Sequence, residues 1–284
     1  MRRTWAPLLL LCLCALAPPA RAACPETLRW RRLQAGIAYA TVDVACAGKP
    51  AEPVKVRDRS LHVVRVTPAK VRLRALMTSA LEGQQNLTAA QWAKKHRLAL
   101  VINLGMYQND HKTHVGHLRA GKHVNSKRWV PSYQSVLAFR PRQSGIPKAV
   151  MLDRKDGASE QLARYDVVAQ NLRLIRGGAK PRGVWSSQPR RWSEAALAHD
   201  GEGRLLLLFA RAPLTMWELN RLLLALPLGI VRAMHLEGGP EASLSIHAGG
   251  VDLDLCGSFE TGFVPDDSNT VQWPLPNVLG VERR

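Results

Sequence analysis

Residues 195–209 read AALAHDGEGRLLLLF. Two apolar runs, Ala195–Ala198 and Arg204–Phe209, flank Asp200-Gly201-Glu202-Gly203, a polar and Gly-rich turn signal. Short apolar runs joined by such a turn read as an antiparallel hairpin. On its C-terminal side, Thr215-Met216-Trp217-Glu218 forms a capping box, with a hydroxyl and a carboxylate placed to satisfy the first free amides of a helix ending near Pro227. Trp217, Leu219, Leu222, Leu223 and Leu226 recur at helical spacing and read as a core stripe. Ile230–Leu236 is a further strand, running into Glu237-Gly238-Gly239-Pro240.

On the N-terminal side, Gly177–Pro189 is rich in Gly, Pro and Ser and reads as a long surface loop. Gly36–Val44, Leu61–Val66 and Val71–Met77 alternate apolar and polar residues as half-buried strands do. Thr88-Ala-Ala-Gln91 is a second capping box, opening a short helix to about His96. Leu98–Ile102 reads as a buried strand, and Ser135–Phe139 and Lys148–Leu152 as two more. No internal repeat or low-complexity linker divides the chain. The fold expected is α+β: one domain with a mixed, mostly antiparallel sheet and a few packed helices.

The 284 residues carry 40 Lys+Arg against 22 Asp+Glu and 46% hydrophobic residues, enough apolar matter for a sizeable core. Arg2 and Arg3, the apolar run Pro7–Ala17 and Ala20-Arg21-Ala22 together read as a cleavable signal peptide over residues 1–22. Cleavage leaves a domain of residues 23–284 and lowers the formal charge of +18 by three, to +15. The expected location is periplasmic or extracellular, with no stable membrane insertion after cleavage. The basic residues are spread along the whole chain with no dense stretch of interleaved aromatics, which argues against nucleic acid and suits a surface kept soluble by excess Arg; an exported basic protein instead meets anionic carbohydrate as partner. Cys24, Cys46 and Cys256 survive cleavage, and two of them should pair in an oxidising compartment, either Cys24–Cys46 or Cys46–Cys256.

Three places carry groups suited to chemistry. In Met234–Leu244 (MHLEGGPEASL) a strand delivers Glu237 onto a Gly238-Gly239-Pro240 turn, with Glu241 and Ser243 close behind. Paired carboxylates suit glycosidic bond cleavage. In Asn103-Leu104-Gly105-Met106-Tyr107 another buried strand ends in a Gly turn with an amide and a phenol. Arg190-Arg191-Trp192 sets two guanidinium forks, suited to phosphate, beside an indole suited to a sugar face.

The order of these motifs, with the GRLLLLFA strand and a helix between the second Arg and LEGGPEASL, resembles the phosphodiester glycosidase family over about residues 35–282. Asn103, Gly105, Met106 and Tyr107 match one family motif, and Leu236, Gly238 and Gly239 match another. Glu237 stands where the family has Asp, and Pro240-Glu241 where it has Ser. The resemblance implies hydrolysis of a sugar-1-phosphodiester, with Glu237, Arg190, Arg191 and Asn103 as the catalytic set. Gly105, Tyr107, Trp192, Gly238, Gly239, Glu241 and Ser243 would bind substrate. No cofactor or metal is expected.

Two other readings compete: a non-catalytic exported binder of anionic glycans, and a metal-dependent hydrolase built on His111, His114 and His117. These histidines are spaced three apart, with Asp110 before them and His123 after. Gly116 and the polar neighbours make that segment a loop, leaving the imidazoles no helical support for a metal site.

Overall fold

The Asp200–Gly203 turn joins two long antiparallel strands, and these lie at the centre of the larger of two sheets. The computed structural model describes residues 23–48 and 55–283. The expected signal peptide, residues 1–22, lies outside the described residues.

In chain order the strands are β1 (Arg31–Gln34), β2 (Ile37–Asp43), β3 (Ser60–Val66), β4 (Leu73–Met77), β5 (Leu98–Asn103), β6 (Leu118–Ala120), β7 (His123–Ser126), β8 (Ser135–Pro141) and β9 (Ala149–Asp153). They continue as β10 (Tyr165–Arg176), β11 (Arg182–Gly183), β12 (Trp192–Asp200), β13 (Leu205–Leu214), β14 (Ile230–Gly238), β15 (Ser243–Ala248), β16 (Val251–Cys256) and β17 (Asn277–Glu282). The helices are α1 (Ala89–His96), α2 (Ser159–Ala163) and α3 (Met216–Ala225). The larger sheet runs β1-β2-β3-β13-β12-β14-β10-β6-β7, with β8 and β11 also on β10 and β9 on β8. The smaller runs β16-β15-β5-β17-β4. Every strand pair among the described residues is antiparallel, so in place of the one mixed sheet expected there are two antiparallel sheets.

The two sheets share one apolar layer. Leu207, Phe209, Met234 and Leu236 from the larger meet Leu100, Ile102, Leu244 and Leu279 from the smaller. The alternate residues of β12 and β13, among them Ala196, Ala198, Leu206 and Leu208, face the other way and pack under α3 through Leu219, Leu222 and Leu223. Burial on both faces is why these strands read as unbroken apolar runs. On the far side of the smaller sheet, α1 buries Trp92, whose indole N–H donates to the Leu275 carbonyl at 3.0 Å. Both capping boxes form as the sequence predicts. The Thr88 and Thr215 hydroxyls accept from the Gln91 and Glu218 amides, and those side chains reach back to the cap amides.

The expected strands are present with ends shifted by a few residues. The longest strand of the fold, β10, is not anticipated by sequence reading, and neither are β15, β16 and β17. β10 reads YDVVAQNLRLIR, and the Gln-Asn pair at its middle hides its apolar continuity. Within the expected 177–189 loop, β11 adds a short pairing to β10, and the Trp185 indole N–H donates to the Arg173 carbonyl at 2.8 Å.

Cys24 pairs with Cys46, the first of the two alternatives. Cys256 is a buried free thiol beside Arg211, a nearly inaccessible guanidinium on β13. Arg211 ion-pairs with Asp267 at 2.5 Å and donates to the carbonyls of Cys256 (2.7 Å), Asn269 (2.6 Å) and Asp267 (3.2 Å). It thereby fixes the segment after β16 that carries Glu260. Arg211→Ala removes this donor from these carbonyls and from Asp267, which keeps the Arg57 amide. Losing one partner of such a pair costs about 3–5 kcal/mol, which urea unfolding of the two proteins should register.

Candidate active site

Glu237 is the penultimate residue of β14. Ala195 pairs with Glu237 and Ala196 with His235, so a bulge falls at Leu236 and breaks the two-residue alternation just before the turn. The chain then crosses from the larger sheet to the smaller over the short Gly239–Glu241 turn. Gly239 sits at φ 68°, and a Cβ there would lie 3.0 Å from Glu260 Oε2, while one on Gly238 would lie 2.7 Å from the Trp192 ring. Both glycines are therefore required by close approach and backbone conformation.

Asn103, at the end of β5, holds this crossing. Its amide donates to the Glu241 carbonyl at 3.0 Å and its oxygen accepts from the Ser243 amide at 2.8 Å. Asn103 and Ser243 are both buried, and their hydrogen bonds run into the turn. They position Glu241 from below.

Around Glu237 gather Glu241, Glu194 and Glu260, with the phenols of Tyr107 and Tyr133 within electrostatic reach. Burial, and next the Glu241 charge, push the Glu237 carboxyl well above its ordinary value of 4.5. Glu194 and Glu260 push the same way, and the Gly238 amide opposes them. Glu241 is also raised, by burial and then by Glu260, with His111 counteracting. Burial, with the charges of Glu237 and Glu241, pushes the Tyr107 phenol far up, so it stays a proton-bearing donor. Beneath Glu237, Glu194 binds two groups: His235 Nδ1 at 2.6 Å from Oε1, and the Trp192 indole N–H, which donates to Oε2 at 2.7 Å. Trp192 thus packs on Gly238 with its N–H already engaged.

The two arginines part company. The Arg191 guanidinium is forked on Glu218 of the α3 capping box, at 2.7 and 2.8 Å. Its backbone is tied to Thr261, next to Glu260. The Arg190 side chain is exposed.

The three histidines of the 108–128 segment go to separate surroundings. His114 is fully buried, accepting from the Gly116 amide at 3.0 Å, and burial lowers its pKa to about 4. His117 stacks on Trp129 with ring centroids 4.3 Å apart, and His111 lies beside Tyr107. The segment expected to be a loop thus carries β6 and β7 and buries its middle histidine, and among the described residues no group of three or more His, Cys, Asp or Glu is arranged around a cation position.

Sequence reading missed Glu194, His235, Glu260, Tyr133 and the amide pair Gln170-Asn171. Gln170 bonds His117, Val130 and Tyr133 backbone, and Asn171 donates to the Leu104 carbonyl at 3.0 Å. Together they fasten the Tyr107 and Tyr133 segments to β10. The available signal was polar side chains inside apolar runs: Gln-Asn in β10, Glu194 in β12 and His235 in β14. Glu260 carries no such signal.

Gly105 closes this layer. A Cβ on it would stand 2.2 Å from Asn171 Oδ1 and 2.3 Å from His114 Nε2, both buried. Gly105→Ala should lose about 1–3 kcal/mol or more by overpacking, seen as a lower urea midpoint. Glu237→Gln should do the opposite. A carboxyl whose pKa is raised on folding binds its proton more tightly in the native chain, so stability falls as pH rises above the ordinary carboxylate value. The substitution should raise the melting temperature at about pH 8 and give no gain near about pH 3, where Glu237 is protonated in both states.

The phosphodiester glycosidase family model matches residues 96–282, from the end of α1 through β17. No curated protein matches the sequence. Among solved structures, a hypothetical protein from Synechocystis is similar at TM-score 0.56 and 15% identity, covering 88% of this chain, which spans only 64% of that one. The zebrafish N-acetylglucosamine-1-phosphodiester alpha-N-acetylglucosaminidase catalytic domain, auto-inhibited by its pro-peptide, is similar at TM-score 0.55 and 14% identity, with 92% of this chain and 87% of that one covered. These identities speak for a shared fold. The family match takes in both the Asn103–Tyr107 and Leu236–Gly239 motifs. This chain belongs to the phosphodiester glycosidase family.

Proposed function

We propose that the protein is an exported hydrolase that cleaves the glycosidic bond of a sugar-1-phosphodiester in a phosphorylated glycan or envelope polymer. The observation that carries this reading is the recessed Glu237 carboxyl at the end of β14, its pKa raised by burial beside Glu241, in a chain of this family. Export is supported by the leader composition of residues 1–22 and by the Cys24–Cys46 disulfide of the following domain. No helix among the described residues is long and apolar enough to cross a membrane.

Two carboxyls in unequal surroundings divide acid from base work. Glu237, the more strongly raised, keeps its proton to higher pH than Glu241 and donates it to the bridging phosphate oxygen as the anomeric C–O bond breaks. Because a phosphate oxygen leaves readily, that proton matters as much for admitting an anionic group among several carboxylates. Glu241, closer to ionisation and with His111 nearby, stabilises the positive anomeric carbon and takes a proton from the attacking water. The products are the free sugar and a phosphomonoester. Arg190, exposed at the edge of the Glu260 segment, supplies a charge-assisted contact to phosphate, while Arg191 positions that segment through Glu218. Tyr107 and the rim of Trp192 orient the sugar.

Glu237→Gln keeps a hydrogen-bond donor and removes the transferable proton, so turnover of a sugar-1-phosphodiester should fall about 10²–10⁴-fold while substrate affinity changes little. Arg190→Ala should weaken substrate binding. Arg191→Ala should lower thermal stability together with activity, since it removes the guanidinium fork that braces the α3 capping box at Glu218. Full hydrolysis by Glu237→Gln overturns the assignment, and binding of anionic glycan without turnover by the wild type would support the non-catalytic reading. The pH profile of kcat/KM should be bell-shaped, with the alkaline limb set by loss of the Glu237 proton and the acid limb by protonation of Glu241.

A further inference from the structure

We infer that the protein carries a second anion-binding site, a cationic groove at the end of the sandwich opposite Glu237, that holds a segment of a phosphate-bearing polymer. The groove encloses about 720 Å³, a size typical of ligand sites, and lies between β4 and β17 of the smaller sheet and β8 and β10 of the larger. Arg72, Arg74, Arg140 and Lys148 line it, with Asp166 and Glu282 as the only carboxylates.

Its place follows from strand register. On β5, Asn103 pairs with Val278 at the Glu237 end and Leu98 pairs with Glu282 at the groove end. Five residues of strand separate them, roughly 17 Å. A ligand in the groove is therefore clear of the carboxylates around Glu237.

The charges in the groove are under-neutralised. Glu282 is shared by Arg74 at 3.0 Å and Arg72 at 3.8 Å, and Asp166 by Arg142 at 3.1 Å and Arg140 at 3.4 Å. Each guanidinium offers five N–H donors, so one shared carboxylate leaves most of them facing solvent. The side chains of Arg72 and Arg140 are 80% and 54% exposed. Arg140 sits at φ 58°, a sparsely populated conformation for an L-residue, with its backbone N–H donating to the Lys148 carbonyl at 3.2 Å. That bond sets two cationic residues side by side at the mouth.

Spaced guanidinium forks suit a chain with repeated phosphates. Single-stranded nucleic acid needs aromatic faces for its bases, and the one aromatic ring in the lining, Phe139, is fully buried. The phosphate-bearing polymer is therefore a glycan or polyol chain.

Titration calorimetry with inorganic tripolyphosphate at low ionic strength tests the site without turnover, so the result is independent of the role given to Glu237. The wild type should bind saturably, with affinity falling as salt is added. The R72E/R140E variant should bind at least about tenfold more weakly, and R72E/K148E should do the same without touching the left-handed position. K122E/K180E makes an equal charge change at exposed lysines elsewhere and should stay close to wild type. Absence of saturable binding, equal weakening in all three variants, or a preference for a thymidine oligonucleotide of matched charge would each overturn the proposal.

Discussion

The side-chain amide of Asn103 fixes the point where the chain leaves one sheet and enters the other. Its two hydrogen bonds, to the Glu241 carbonyl and from the Ser243 amide, clamp the Gly239–Glu241 turn against the end of β5. Glu237 lies on one side of that turn and Glu241 within it, so their relative position depends on a buried amide that need not touch substrate. Each such bond is worth about 1 kcal/mol net, and an unsatisfied buried partner costs more. Geometry at the carboxyls and integrity of the sheet crossing are therefore coupled.

Polar side chains inserted into otherwise apolar strands perform the same service elsewhere. Gln170 and Asn171 interrupt β10 and fasten the two tyrosine-bearing segments. Glu194 interrupts β12, where it holds His235 and Trp192 beneath Glu237. Four carboxylates come close together as a result, and the raised pKa values of Glu237 and Glu241 reflect burial first and this crowding second. Carboxyls raised in this way are suited to proton transfer near neutral pH, and clusters of this kind are candidates for acid–base work.

The cationic groove lies where such crowding is absent. Its carboxylates are shared among arginines on exposed strand ends, and its charge is left for solvent or ligand. Carboxylates thus cluster around Glu237, while the groove carries four basic residues against two carboxylates.

The sequence by itself determined the local elements and much of the site's membership. Capping boxes at Thr88 and Thr215, the Asp200–Gly203 turn and the strand leading to Glu237 depend on neighbours within a few residues, and short-range geometry is written in residue type and spacing. Gly238, Gly239, Tyr107 and Trp192 were readable because Gly-rich strand ends expose backbone. Tertiary structure alone decided the rest. Whether Asn103 faces ligand or the Glu241 turn, whether Arg191 is free or forked on Glu218, and that Glu260 arrives from a segment beyond β16 all depend on contacts between residues far apart in the chain. Cys46 could meet either remaining cysteine, and only the packed fold brought it to Cys24. Long-range partners are chosen by sheet order and register, which no local pattern in this chain encodes.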